Sequence, residues 1–384
     1  MERNEGITSS DLKGAEVSWF APICDGDDRY LGERDPQYKS TWNNTSKVVL
    51  AADQAGFRNI LCPSSYQVGQ DTLPFVSSMA PLTKNINLLA AIRCGEIHPA
   101  MLARTVATLD HLLEGRLTLN IISSNLPGED LPSEARYQRS REVIQILKQA
   151  WTQDRIEYEG KFYQLSLDTK PVKPFQSGGP LLYFGGYSPP ALELCAEFCD
   201  VYLMWPDTRP KLKAQLEVLQ EKAAAYGRTL DYGLRVHVVV RESEAEARDY
   251  AQSLLSKLDE EEGEALRNRA LDAKSLGVSK QQAVREASDQ EGYAEELLFT
   301  GIGRARSGCG AALVGSPKQI VERIREYQDM GFRSFIFSGY PHLEECDYFA
   351  RLVMPHLDTV SLPMAYQKIP VGGPLTPLGN APRF

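Results

Sequence analysis

Two ionisable residues stand two apart in an otherwise apolar stretch, YGLRVHVVV, at Arg235 and His237. Successive side chains of a strand alternate between its faces, so Leu234, Val236 and Val238 share one side while Arg235 and His237 share the other. A guanidinium and an imidazole inside a core are costly unless they are paired or used. Either an acidic partner completes a buried network, or the pair serves a ligand at the strand's C-terminal end. Arg306 lies in a glycine-rich stretch, GIGRARSGCG, of a kind that serves as a linker or closes over an anion. Arg93 closes the run AAIR, and Trp205 and Tyr340 close two further apolar runs. Each is a packing or surface residue if isolated, and a wall of a common mouth if the runs are neighbouring strands.

A second constellation is the stretch LLYFGGYSPPALELCAEFCDVYLMW, Leu181 to Trp205. LLYF reads as a buried strand, followed by Gly185 and Gly186 and then by Ser188 just before two prolines. A hydroxyl N-cap with proline in the first turn is a helix start. Ala191 to Phe198 continues that helix, and Val201 to Trp205 reads as the next strand. The turn offers bare N–H groups and a positive helix end, which suit a phosphate. A tight strand-to-helix turn with no ligand has the same sequence.

The elements that position these groups alternate along the chain. Strands are expected at Val17–Pro22, Asn59–Cys62, Asn87–Ile92, Leu117–Ile122, Leu181–Phe184, Val201–Trp205, Tyr232–Val240 and Ser334–Phe337, with helices between them. Eight strands alternating with helices are the pattern of a (β/α)8 TIM barrel of the α/β class, whose chemistry sits at the strands' C-terminal ends. A doubly wound sheet is the runner-up, weakened by the absence of a G-x-G-x-x-G turn. Residues 1–14 read as a frayed N-terminal segment, 15–360 as one domain, and 361–384 as a Pro/Gly-rich tail on a surface or a neighbouring subunit. Arg155 to Leu165 reads as an inserted hairpin turning at Glu159-Gly160. Residues of about 258–315 read as an insertion: a solvated helical region, then the glycine loop.

Composition narrows the partners. The chain has 384 residues, 42% hydrophobic and 24% charged, with a net charge of −9. With no basic face, nucleic acid is an unsuitable partner, and no apolar run reaches membrane-span length. The seven cysteines form no C-x-x-C pair, the histidines show no metal spacing, and no secretory signal opens the chain. A cytoplasmic enzyme with reduced thiols and no metal is the expectation.

Several pieces in order carry a resemblance: TLDHLLEGR (108–116), LLYFGGYS (181–188), DVYLMW (200–205), GLRVHVVV (233–240), GIGRARSGCGAALVG (301–315) and FIFSGYPHLEE (335–345). Over about Val17 to Leu357 the chain resembles the bacterial luciferase-like flavin-dependent monooxygenases, most nearly the alkanesulfonate monooxygenases. The resemblance implies a homodimeric or homotetrameric TIM-barrel enzyme taking reduced FMN from a separate NAD(P)H-dependent FMN reductase. With O2 it would cleave the C–S bond of an organosulfonate, releasing sulfite and a carbonyl product. By matching motif positions, Trp205, Arg235, His237, Arg306 and Tyr340 fall on the family's active-site residues. Arg235 and Arg306 would hold the anion, His237 and Tyr340 would serve proton transfer and orientation, and Trp205 would wall the pocket. Gly186, Tyr187, Ser188 and Tyr137 would hold the FMN phosphate, and Ser123 and Ser124 would border the ring.

Three loops depart from the family's pattern: Cys24-Asp25-Gly26-Asp27 replaces an H-G-D-G, SSYQVGQD replaces a G-R-S-C sequence, and SSNLPGED replaces a T-G-x-D-P type. All line the substrate side, so a larger polar sulfonate such as the sulfosugar sulfoquinovose is expected, with Gln67, Gln70 and Asp71 bonding its hydroxyls. The competing readings are a sulfone or other small-molecule luciferase-like monooxygenase, a deazaflavin-dependent reductase, which has no need of an anion clamp, a non-catalytic flavin-binding protein, and a phosphate-sugar barrel enzyme, weakened by the absence of an obvious Schiff-base lysine at a strand end.

Overall fold

Apolar strands too short to bury both faces alone are closed here into a cylinder. The structure, a computed structural model, describes residues 6–170, 173–259, 261, 263–265, 275–306, 308–372 and 376–377. The first four strands, β1 (Glu16–Phe20), β2 (Asn59–Cys62), β3 (Asn87–Arg93) and β4 (Leu117–Ile122), pair in parallel in chain order. After the hairpin β5 (Arg155–Glu159) and β6 (Gln164–Asp168), the parallel order resumes with β7 (Leu182–Phe184), β8 (Val201–Met204) and β9 (Asp231–Val240). The short strands β10 (Tyr293–Glu295), β11 (Leu298–Phe299) and β12 (Ala312–Gly315) precede β13 (Phe332–Ser338). β13 pairs with β9 on one side and β1 on the other, which closes an eight-stranded (β/α)8 barrel.

Alternation decides what fills that barrel. Leu61, Leu89, Leu181, Tyr183, Val201, Leu203, Ile336 and Leu362 form one buried cluster, while Leu234, Val236 and Val238 join the larger core. At the floor the buried Glu16 carboxylate accepts from the Tyr183 hydroxyl at 2.6 Å, from Asn59 and Ser334 at 3.2 Å, and from the Leu362 N–H at 3.4 Å. Those bonds tie four separate parts of the chain to one group, and burial raises its pKa.

Three expectations are corrected. Residues 6–14 are not frayed: Ile7 is buried, bridges to Leu230, and is followed by Ser9, which donates to Asp231. The tail begins as a helix, Leu362–Ala365, whose Leu362 is buried and whose neighbour Tyr366 donates to Asp231 at 3.0 Å. Residues 362–366 therefore pack on the floor of their own barrel, and 373–375 and 378–384 lie outside the described residues. Lastly, the glycine-rich stretch ends in a strand: β12 runs parallel to the upper half of β9, Ala312 opposite His237 and Gly315 opposite Val240. β9 outgrows β8, which pairs only with Asp231 to Leu234. β12 covers the edge left over, so the peptide groups around His237 are satisfied.

Candidate active site

Strand parity carries Arg235 and His237 to the barrel mouth, both buried. No carboxylate among the described residues pairs with Arg235, and its Nη1 has no hydrogen-bond partner. Its guanidinium instead lies 4.6 Å from the centroid of the Phe20 ring, a cation–π contact that holds it without neutralising it. Burial lowers its pKa, opposed by Cys309 and Tyr340. The acidic partner that one reading of the sequence required is absent from these residues.

His237 is fully engaged. Its Nε2 lies 3.1 Å from the Cys309 carbonyl, which only accepts, so Nε2 carries the proton. Its Nδ1 lies 2.7 Å from the Ser338 hydroxyl. Burial, with Arg235 and His342 beside the ring, drives its pKa well below 6.5. The ring is therefore neutral, and the Ser338 hydroxyl donates to Nδ1. In this arrangement the histidine fixes the position of Cys309, whose thiol in turn lies 3.2 Å from the Arg235 carbonyl.

Arg306 reaches across to the loop after β1. It donates to the Gly26 carbonyl, and Asp28 lies 3.6 Å away. Gly26 has a φ of +88° and the guanidinium occupies the space a Cβ would take, so both backbone and contact require glycine. Burial opposes the charge on Arg306, but Tyr340, Asp28, Asp27 and Asp25 outweigh it and raise its pKa. Burial pushes Asp28 up to about 6 despite Arg306. The Tyr340 ring is 5.1 Å from both Arg306 and the His237 ring, and burial raises its hydroxyl pKa, so it remains a proton donor. Beneath it, the buried Asp27 accepts from the His342 N–H at 2.9 Å and stands 2.8 Å from Nδ1 of the same residue. The structure thus brings Arg235, His237, Arg306 and Tyr340 together.

The other half of the mouth is a set of unspent hydroxyls. Those of Ser123, Ser124 and Ser188 are buried with no partner. Ser188 occupies the N-cap position of the helix Pro189–Phe198, yet its side chain makes no capping bond. At Gly186 a Cβ would stand 2.8 Å from the Ala191 Cβ and 3.5 Å from the Tyr137 hydroxyl, so the turn, Tyr137 and the helix start converge on one point. Bare amides, a helix end and orphaned hydroxyls fit a flavin phosphate and ring. Tyr187 is placed differently from a phosphate ligand: its hydroxyl accepts from the Trp205 N–H at 2.8 Å. The Trp205 ring packs against Gly308 and Gly277.

Of the three residues expected to bond substrate hydroxyls, two already have protein partners. Gln70 spends its amide on Ser40 and Thr45, at 3.2 and 3.1 Å, and Gln67 is exposed. Asp71 caps the helix Thr72–Met79 through the Leu73 N–H. Arg93 is buried at the end of β3, in a cleft that Asp71 and Glu96 also line. Ser338 and Cys309 are site residues that the sequence reading missed. Ser338 ends β13 on the parity of the inward-facing Ile336, a signal that was present; Cys309 had none.

A closed parallel barrel with an arginine, a neutral histidine and a hydroxyl-lined turn at its carboxyl end defines the class, a TIM-barrel enzyme acting there. The chain belongs to the luciferase-like monooxygenase family, whose profile matches residues 15–334. It is 59% identical over 379 residues to a sulfoquinovose monooxygenase of Agrobacterium fabrum, covering 98% of each chain. A sulfoquinovose monooxygenase of Novosphingobium aromaticivorans is 48% identical over 90% of this chain and 98% of its own. Among solved structures, a long-chain alkane monooxygenase superposes with a TM-score of 0.72 at 18% identity, covering 90% of this chain and 91% of its own. Among the described residues no helix is long and apolar enough to cross a membrane.

Proposed function

We propose that the protein is a two-component monooxygenase that uses reduced FMN and O2 to cleave the C–S bond of a sulfosugar, sulfoquinovose. One substrate, one O2 and one FMNH2 give a carbonyl product, bisulfite, FMN and water. The observation that carries the reading is Arg235: a buried cation at the barrel mouth with no carboxylate partner among the described residues. A sulfonate supplies the missing charge. The two sulfoquinovose monooxygenase relatives, matched over nearly their whole length, support the sulfosugar.

Bound at the hydroxyl-lined turn, reduced FMN supplies the two electrons and the site of O2 activation. Gly186, Ser188 and Tyr137 hold its phosphate end, and Ser123 and Ser124 border the ring. Arg235 binds the sulfonate, and Arg306 joins it by exchanging Asp28 for the ligand. Sulfite leaves as an anion, so both cations remain useful through C–S cleavage. The Tyr340 hydroxyl, protonated and between the two arginines, orients the substrate and donates a proton. His237 keeps Cys309, and with it the arginine loop, over the mouth, excluding water. A separate NAD(P)H-dependent FMN reductase supplies the reduced flavin, and the enzyme works in the cytoplasm as a homodimer or homotetramer.

The test is sulfite release with a flavin reductase, NAD(P)H and a panel of sulfonates. Sulfite from sulfoquinovose is expected. No sulfite from any sulfonate overturns desulfonation, and far faster turnover of octanesulfonate overturns the sulfosugar.

A further inference from the structure

The inserted region was expected to be a solvated appendage, yet one face of its helix Leu276–Glu286 is spent on the site. Gln281 and Arg285 are four residues apart and so share a helical face. They meet the two sides of a narrow neck. At that neck the Gly303 N–H donates to the Gly310 carbonyl at 2.8 Å. A Cβ on Gly310 would stand 3.0 Å from the Gly303 Cα, so the two sides of the neck approach closely because both residues are glycine. Gln281 accepts from the Gly310 N–H at 3.1 Å, and Arg285 donates to the Gly303 carbonyl at 2.8 Å. With its other amide end Gln281 donates to the Pro206 carbonyl at 2.7 Å, next to Trp205.

We propose that Gln281 and Arg285 are positioning residues that clamp the neck of the arginine loop to the end of β8 and thereby set where Arg306 and Cys309 stand. Cys309 adjoins Gly310, and its carbonyl meets His237 while its thiol meets the Arg235 carbonyl. Arg306 is three residues beyond Gly303 and reaches the Gly26 carbonyl. A shift of the neck therefore moves the contacts of both arginines. The helix that bears the clamp is itself fixed against the same wall: Gly277 lies under the Trp205 ring, and the Lys280 ammonium is 4.5 Å from the Tyr187 ring centroid. Removing the Gln281 amide leaves a carbonyl and an N–H unpaired at once, and an unmade bond of a part-buried group is the expensive kind.

The role in catalysis rests on the proposed anion clamp, so the deciding measurement is one that needs no turnover: limited trypsin cleavage after Arg304 and Arg306, followed by mass spectrometry. In Gln281→Ala the loop should be cut about thirtyfold faster, the change expected for loss of about two net hydrogen bonds. Sulfonate KM should rise by a similar factor while the dissociation constant for FMN stays within about twofold. Arg285→Ala should behave alike, and Arg285→Lys, which keeps one donor for the Gly303 carbonyl, should recover most of the protection. Cleavage at the wild-type rate in Gln281→Ala, with melting unchanged, overturns the clamp. Should Gln281→Ala unfold, Gln281→Glu decides: it keeps an acceptor for the Gly310 N–H and sets a carboxylate oxygen against the Pro206 carbonyl in place of the donor, so unaltered cleavage there overturns the tie to β8. Faster cleavage in an enzyme that releases no sulfite upholds the clamp and removes the desulfonation reading.

Discussion

The two halves of the mouth are in opposite states of satisfaction. On the proposed flavin side the hydroxyls of Ser123, Ser124 and Ser188 are buried and unpartnered; the first two follow β4 and the third stands at the N-cap of the helix Pro189–Phe198. On the anion side nearly every polar group has found a protein partner: His237 holds Cys309 and Ser338, and Arg306 holds Gly26 with Asp28 beside it. The exceptions are Arg235 Nη1, Arg306 Nε and Asp27 Oδ2, which have no hydrogen-bond partner. On the proposed reading the flavin side would receive its ligand without rearranging, whereas on the anion side Arg306 would exchange a protein carbonyl and a carboxylate for the ligand. Preorganisation belongs to the first and exchange to the second.

The largest effect expected from breaking this contrast is at Arg235. In Arg235→Met, sulfite release should fall by about 10²–10³, the scale for losing one preorganised charge-stabilising group. Melting should not fall, because no paired carboxylate is orphaned by the change. Turnover within tenfold of wild type removes the anion role; a markedly lower melting temperature makes Arg235 structural.

Ser188→Ala sharpens the flavin half. Replacing a capping serine ordinarily costs about 1 kcal/mol of stability, but this hydroxyl makes no capping bond. Melting should therefore stay level while FMN, titrated by fluorescence quenching, binds about tenfold more weakly, the loss of one hydrogen bond to a charged group. A fall in melting with unchanged FMN affinity reverses the assignment. His237→Gln separates positioning from proton transfer. Glutamine can still donate to the Cys309 carbonyl, and a neutral His237 has no ionisation to lose. Turnover should drop only about severalfold, no more than one net hydrogen bond is worth, and the shape of its pH profile between about pH 6 and 8, where an unperturbed histidine titrates, should not change. Loss of a limb from that profile would restore His237 as the proton-transfer group.

Much of the flavin half was legible in sequence because it is local. Leu181 to Trp205 is one continuous strand–turn–helix–strand unit, and strand parity alone pointed Arg235 and His237 into the barrel. The anion half was legible only as residue types. Arg306 and Gly26 are 280 positions apart, and nothing in either stretch announces the other. Gln70 misled for a related reason: its amide chemistry suits a sugar hydroxyl, but Ser40 and Thr45 offered the same bonds from the protein. The role of the helix Leu276–Glu286 was hidden by its composition, since a polar face turned to backbone carbonyls reads like one turned to water.

Asp28 gives the smallest effect and tests the exchange side most directly. Its carboxyl pKa is raised by burial, against Arg306, from 3.8 to about 6. Between those values the folded protein binds more protons than the unfolded chain, so this group's contribution to stability declines as pH rises from about 4 to 6 and stays low above that. Asp28→Asn carries no charge to bury. It should melt slightly above wild type at about pH 7.5, and the gain should vanish near pH 4, where the wild-type carboxyl is already protonated in the folded state. The same substitution removes the carboxylate beside Arg306, so at neutral pH it should speed tryptic cutting of the arginine loop while melting rises. Stability and loop protection moving in opposite directions is what a satisfied but exchangeable latch requires. If both fall together, the Asp28–Arg306 pair is a fixed structural bridge and the contrast between the two halves fails.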